Sequence, residues 1–125
     1  NKTLSNAVVT ASAPATPTLN VLYTDTMMKG WLETSGAGAW TIDDDFNVSS
    51  ITDNGAGDFT INWATDIGTV NYAVVGTAIS TTARCLRETT STAKSGTVVR
   101  LEVFKTDDNV LTDPSAGVSV MAIGG

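Results

Sequence analysis

Carboxylates are the side chains of this sequence with the widest choice of chemistry, since Asp and Glu together number 13. A glycosidase needs two facing carboxylates whose surroundings push their pKa values apart. Most of the acids instead fall in predicted turns, at Asp43–Asp45, Asp53, Asp58, Asp107 and Asp108. Glu102 alternates with apolar residues and should point outward from its strand. Because solvent surrounds such positions, we predict no catalytic carboxylate pair.

Nucleophilic and metal chemistry is limited by the absence of His and by the single Cys. A Ser or Cys nucleophile needs a neighbouring base, and a zinc site needs His or several Cys ligands. Cys85 is predicted to be a small apolar side chain in a strand, because the alternative, a reactive thiol beside Arg84 and Arg87, lacks a base. A calcium site is a further alternative, with ligands from Asp43, Asp45, Asp53 or Asp58. Their spacing matches no recognised Ca²⁺ loop, so we predict no catalytic, cofactor-binding or metal-binding residue, and no enzyme.

Charge and hydropathy restrict the partners. The net charge is -6, and only 16% of residues are charged. Nucleic-acid backbones and anionic membranes attract clustered Lys and Arg, so we predict no nucleic-acid partner and no membrane insertion. We also expect neither a membrane span nor a secretory signal, since no run of 18 apolar residues and no signal pattern occurs. A surface of Thr, Ser, Asn, Gly and Ala suits a protein that packs against its own copies or meets sugars.

The stretch from Trp40 to Thr65 predicts a β-hairpin around Asn54-Gly55, a strong hairpin signal. Large side chains alternate on its second strand, at Phe59, Ile61 and Trp63, and should share the core face. On the first strand Phe46 and Val48 are in phase with each other, whereas Ile51 is out of phase. A one-residue slip at Ser49-Ser50 therefore predicts a β-bulge.

Several other segments have strand composition and short turns between them. Met27–Glu33 should place Trp31 on its outer face, and Gly30 indicates a bulge or a close approach. Asn71–Ile79 is apolar or small on both faces, which predicts a central strand. Further strands are predicted at Arg84–Thr89, Thr97–Phe104 and Val118–Ile123, with a solvated turn at Asp43–Asp45.

No segment has helical periodicity, so we predict no α-helix. Seven or eight short strands indicate an all-β fold, an antiparallel β-sandwich of jelly-roll or Ig-like type. Its predicted core consists of Phe46, Val48, Phe59, Ile61, Trp63, Val74, Val99, Leu101, Val103 and Val120.

The first 24 residues differ from the rest in composition. Pro14 and Pro17 forbid a helix, and the segment carries one charge, at Lys2. Its apolar residues exceed what a solvated, disordered lead-in needs, so we expect an extended N-terminal arm over 1–24 and a sandwich domain over 25–125. The interface candidates are Leu4, Val8, Val9, Leu19, Val21 and Trp31. A first residue other than Met is consistent with a trimmed chain or a piece of a longer one.

The segments Phe46–Gly55, Gly57–Asn62 and Asn71–Gly76 together resemble a module of tailed-bacteriophage virion proteins, of the tail-fibre-like or receptor-binding tip family. With Lys29–Trp31 and Leu111–Ser115, the likeness covers roughly residues 22–125. It implies a non-enzymatic structural protein on the virion surface, assembled in the host cytoplasm.

The resemblance leaves more than one role open. The protein is expected to be a tail-fibre or receptor-binding tip module, a homotrimer that contacts other virion proteins through its N-terminal arm and attaches to host-surface glycan or protein. The alternative is a capsid decoration protein on the phage head. A non-viral adhesin or surface-layer domain is a third class, and residues upstream of Asn1 would separate the first two.

Overall fold

The computed structural model describes residues 11–16 and 23–125. Sheet A contains, in spatial order, β2 (Thr41–Phe46), β1 (Met28–Ser35), β8 (Gly117–Ile123) and β5 (Ala73–Ile79). Sheet B contains, in spatial order, β3 (Val48–Gly55), β4 (Asp58–Trp63), β7 (Val98–Lys105) and β6 (Arg84–Glu88). All pairings are antiparallel, so the predicted all-β sandwich is confirmed.

Helical structure in the described part is limited to one 3-10 turn at Thr24–Thr26, just before β1. The prediction of no α-helix therefore holds for residues 11–16 and 23–125. In this same part of the chain, no helix is both apolar enough and long enough to span a membrane.

The core lies between the two sheets, where period-two alternation directs the large apolar side chains. Phe59, Ile61 and Trp63 face inward from β4, as predicted, and none is more than 5% exposed. Four more predicted core residues are buried, namely Val99, Leu101, Val103 and Val120. Val48 and Val74 are partly buried against this core.

The prediction that Phe46 belongs to the core is wrong, because its side chain is 54% exposed. Phe46 ends β2 in sheet A, whereas Val48 begins β3 in sheet B. The residue between them, Asn47, has φ of 63°, a left-handed conformation that Asn tolerates better than most residues. This turn breaks the alternation on which the prediction depended, so Phe46 lies on the outer face of sheet A.

The predicted slip in the first strand of the hairpin is confirmed. Val48 pairs with Trp63 and Ser50 with Asn62, so Ser49 is the extra residue of a β-bulge. The hairpin itself is also present, but Gly55 pairs with Asp58, so the chain reverses at Ala56-Gly57. Asn54-Gly55 belongs to a second irregularity just before that reversal.

Two segments occupy other places than predicted. Asn71–Ile79 was expected to contain a central strand, but β5 is an edge strand that pairs only with β8, and Val75 is 52% exposed. Asp43–Asp45 was expected to be a turn, but these residues lie in β2, the opposite edge of sheet A. They are exposed, and carboxylates on an edge strand discourage pairing with other chains.

Gly30 shows both features that its place in a strand predicts. The register between β1 and β8 shifts between Met28 and Gly30. A Cβ atom on Gly30 would lie 2.6 Å from Cζ3 of Trp63, so the indole ring of the core occupies the space that a side chain would need.

The two ends of the sandwich differ in what they carry. At the end that we call the loop end, the segments between β1 and β2, between β3 and β4, and between β7 and β8 converge. Asp113 joins them there, because its Oδ1 accepts a hydrogen bond from Gly57 N at 2.6 Å and its carboxylate lies beside Gly38. At the opposite end, the anchor end, Thr24 N donates to the carbonyl of Ala11 at 3.0 Å and Ala13 N donates to Asp25 at 2.9 Å.

Candidate interaction surface

A row of exposed apolar side chains crosses the outer face of sheet A. Trp31 pairs with Phe46 on one side and with Met121 on the other, and Met121 pairs with Val75. We call these four residues the apolar row. Directly opposed side chains in a sheet have Cβ atoms about 4.5–5.5 Å apart, so the row is continuous across all four strands.

The side chains of the apolar row are far more exposed than those of core residues. Phe46 is 54% exposed, Val75 52% and Met121 41%, and Trp31 is half-buried. A shallow groove of about 560 Å³ follows three of the row's residues, Trp31, Met121 and Val75. Contiguous exposed apolar side chains on a soluble domain commonly mark a contact with another protein.

A polar row lies beside the apolar row, one pair further along the strands. Glu33 pairs with Asp44 and with Ser119, and Ser119 pairs with Thr77. The Glu33 and Asp44 side chains are both exposed and carry like charge. The apolar row therefore has a polar, acidic border on this side, whereas Met28 and Ile123, which pair with each other on its other side, are apolar and exposed.

The outer face of sheet B is different, because its polar side chains bond to each other. Asn62 Nδ2 donates to Ser50 and Thr52, and Asn54 Nδ2 donates to Thr60 Oγ1 at 2.9 Å. Arg87 pairs with Glu102 at 2.6 Å and covers the ring of Phe104. Such a face is compatible with water, so sheet A carries the stronger candidate for a partner surface.

Asp58 and Arg100 form the most buried ion pair on sheet B. Two bonds join them, from Arg100 Nε at 2.8 Å and from Arg100 Nη2 at 2.5 Å. Asp58 was predicted to lie in a solvated turn, but it starts β4 and is only 7% exposed. The hydrogen bonds from Arg100 hold the pKa of Asp58 below its usual value, although burial acts in the opposite direction.

This ion pair predicts acid-dependent stability. A carboxyl group whose pKa is lower in the folded state contributes stability above its unfolded pKa and loses it as the pH falls through the folded pKa. We expect the free energy of unfolding of the native protein to exceed that of Asp58→Asn at pH 7, and the difference to shrink below about pH 4. Urea unfolding at several pH values measures it.

The exposed turn residue Asp107 supplies the control for that titration. Asp107→Asn makes the same substitution at an exposed residue outside the ion pair, and the pH-dependent difference from the native protein should be larger for Asp58→Asn than for Asp107→Asn. A difference between Asp58→Asn and the native protein that stays constant from pH 7 to pH 2 would contradict the role of the ion pair.

Asp58 and Glu102 are cross-strand partners, a juxtaposition of two carboxylates that the sequence analysis did not predict. Both residues are 7% exposed, but each is bound to its own guanidinium group. A general acid needs a raised pKa, whereas the pKa of Asp58 is lowered. The ion pair of Asp58 with Arg100 therefore cross-links β4 and β7, and that of Glu102 with Arg87 cross-links β7 and β6. The contact between Asp58 and Arg100 joins residues 42 positions apart, which explains why local patterns missed it.

The hydroxyl group of Tyr72 links the two sheets at the anchor end. It accepts a hydrogen bond from Trp63 Nε1 at 3.1 Å and donates to the carbonyl of Ser95 at 2.8 Å. Burial raises the pKa of Tyr72, since the phenolate would lose its solvent, and the bond from Trp63 partly opposes this. Trp63 is thus confirmed as a core residue whose polar atom has a partner.

The other predicted chemistry can be placed within the described residues. Cys85 lies in β6, as predicted, with an exposed side chain. No group of three or more His, Cys, Asp or Glu side chains in residues 11–16 and 23–125 is arranged to hold a metal ion. The acids considered for calcium are distributed over β2, β3 and β4.

The predicted interface residues have different outcomes. Trp31 lies on the outer face of sheet A, at the centre of the apolar row. The other candidates, which fall outside the described residues, are Leu4, Val8, Val9, Leu19 and Val21. Phe46, Met121 and Val75 were not predicted as surface residues of one site.

Comparison with protein-family models, with curated protein sequences and with solved structures gave no match to this chain.

Proposed function

We propose that the protein is a non-enzymatic structural module of a tailed-bacteriophage virion, in which it forms part of a tail fibre or receptor-binding tip. The observation that carries this proposal is that the N-terminal segment is held at one end of the sandwich and the exposed loops lie at the other. Residues 11–13 are held at the anchor end, and the segments 34–38, 53–57 and 105–109 lie at the loop end. A module attached through its N-terminal side would therefore direct these loops away from the particle.

The apolar row supports a self-assembling module. Phe46, Met121 and Val75 lie outside the core, with their side chains exposed to water. Packing against another protein surface would remove these side chains from water. A homotrimer agrees with the fibre-like resemblance. The low density of charged residues on the surface suits contacts between copies of the subunit. The N-terminal arm would meet other virion proteins, and the site of action would be the virion surface.

Loops on a rigid β-scaffold can vary without disturbing the core, which suits recognition of a host glycan or protein. At the loop end, exposed polar residues surround the turn at residues 106–108. The segment 89–96 lies at the anchor end, where the Tyr72 hydroxyl donates to the carbonyl of Ser95. We assign the host-facing role to the loop end alone.

The full chain can be tested against a panel of isolated bacterial lipopolysaccharides and capsular polysaccharides. We expect binding without new reducing ends. Replacement of residues 106–108 by Gly-Ser-Gly should weaken that binding by about tenfold or more. The matched control replaces residues 91–93, which are equally exposed but lie at the anchor end, and should bind as the native chain does.

Two results would contradict this function. Depolymerisation that a single Asp or Glu substitution abolishes would show an enzyme. Failure to bind any host-surface preparation, together with binding to phage heads that lack the protein, would show a capsid decoration protein instead.

A further inference from the structure

The edge of β5 is unlike the other three edges of the sandwich. β5 pairs with β8 on one side, and no described strand pairs with its other side. It contains neither Pro nor any charged residue, whereas β2 has three Asp, β6 has Arg84, Arg87 and Glu88, and β3 has Asp53. Native proteins protect exposed edges with charge, Pro or bulges, and an edge that lacks them is a template for another strand.

The composition of β5 fits a strand that is covered in its working state. Its sequence is apolar or small on both faces, which is typical of a central strand, yet Val75 and Ile79 are 52% and 38% exposed. Gly76 does not serve to protect the edge. A Cβ atom at position 76 would lie 2.5 Å from the carbonyl oxygen of Ser119, so close packing requires glycine there.

We propose that the free edge of β5 binds a second copy of this chain, and that residues 3–10 of that copy add to sheet A as a fifth strand. The inference rests on the proposed self-assembling function. Residues 3–10 read Thr-Leu-Ser-Asn-Ala-Val-Val-Thr, with no charge and no Pro. Eight residues extend about 26 Å and the seven of β5 about 23 Å, at roughly 3.3 Å per residue, so the lengths match.

The position of the anchor end supports this occupant. The described chain begins at Ala11, which Thr24 holds beside Asp25. Asp25 shares a surface hollow with Asn71 and Ala73, where β5 begins. Ala11, the first described residue, is therefore held on the side of the domain where β5 begins. Strand addition is a common way for a segment to bind a sheet.

We infer a second copy because a single neighbouring copy would cover both the free edge of β5 and the apolar row. A chain's own residues 3–10 would cover only the edge and would leave Phe46, Trp31 and Met121 in water. Val75 belongs both to β5 and to the apolar row. A neighbouring copy can cover the row with its body and the adjoining edge with its N-terminal segment, so each copy donates one strand and accepts one.

A charge placed on the edge tests the proposal. Thr77→Lys puts a cation on β5, and Thr41→Lys puts the same cation on β2, the other edge of sheet A; both Thr residues are exposed. Sedimentation equilibrium of the full chain should show self-association weakened about tenfold or more by Thr77→Lys and unchanged by Thr41→Lys. Circular dichroism confirms that both variants fold. Equal effects of the two substitutions would overturn the inference.

Disulfide trapping identifies the copy that supplies the strand. In a Cys85→Ser background, Thr77→Cys is combined with Leu4→Cys, Asn6→Cys or Val8→Cys, and mild oxidation should give covalent dimers for at least one pair. Thr41→Cys with the same partners should give none. A disulfide confined to monomers would overturn the role of a second copy, and no disulfide in any combination would overturn the added strand.

The outcomes also separate this inference from the function on which it rests. A native chain that self-associates, with Thr77→Lys associating equally well, overturns the β5 contact and leaves the assembly proposal standing. A native chain that is monomeric at all concentrations up to millimolar overturns both.

Discussion

Phe59→Ala is expected to lower the free energy of unfolding by about 3–5 kcal/mol, which is a large part of the roughly 5–15 kcal/mol that a domain possesses. Phe59 is fully buried near the start of β4, and its ring centroid lies 4.2 Å from that of Trp40. Truncation would remove apolar contacts and leave a cavity that both sheets border. Urea unfolding followed by tryptophan fluorescence measures the loss, because Trp40 reports on its own contact.

The same substitution at Phe46 is the matched control. Phe46→Ala should change the free energy of unfolding by less than about 0.5 kcal/mol, since this ring is 54% exposed on the outer face of sheet A. It should instead weaken self-association, because Phe46 belongs to the apolar row. The unfolding measurements on Phe59→Ala and Phe46→Ala need a protein concentration at which the chain is monomeric. A loss of stability at Phe46 as large as that at Phe59 would contradict its place outside the core.

The sequence predicted those features that depend on local alternation within one strand. Phe59, Ile61 and Trp63 face the core because nothing interrupts their period of two, and the phase change at Ile51 correctly indicated the bulge at Ser49. The prediction failed at Phe46 because a left-handed residue, Asn47, separates two strands of different sheets. The alternation of apolar residues does not reveal a turn that consists of one residue and contains no glycine.

The remaining errors concern the neighbours of a strand, which local composition does not encode. The apolar residues of β5 predicted burial at the centre of a sheet, but in the strand order β5 is an edge strand with one side unpaired within one chain. Asp58 was assigned to the predicted turn around Asn54-Gly55, and its ion pair was missed because Arg100 is far along the sequence. Of the apolar row, the sequence predicted only Trp31 as an interface residue. The other members follow from the registers of β1, β2, β5 and β8, which the sequence does not give.

At the loop end, Gly57→Ala is expected to cost about 2–5 kcal/mol of stability. Gly57 has φ of 68°, and a non-glycine residue in this conformation loses about 1–2 kcal/mol. A Cβ atom there would also overlap the carbonyl oxygen of Val103 and lie 2.6 Å from the amide of Thr112, for which overpacking adds about 1–3 kcal/mol. Thermal or urea unfolding measures the sum.

Gly68→Ala separates the two contributions. Gly68 has φ of 84°, but no atom lies within 4 Å of the added Cβ position, so only the conformational cost of about 1–2 kcal/mol should appear. Because Gly57 N donates to Asp113 and its carbonyl accepts from Val103 N, displacement at Gly57 should also disturb the loop end and weaken host-surface binding. Equal losses for the two variants would show that the backbone around Gly57 yields without cost, and that close packing does not hold these loops in place.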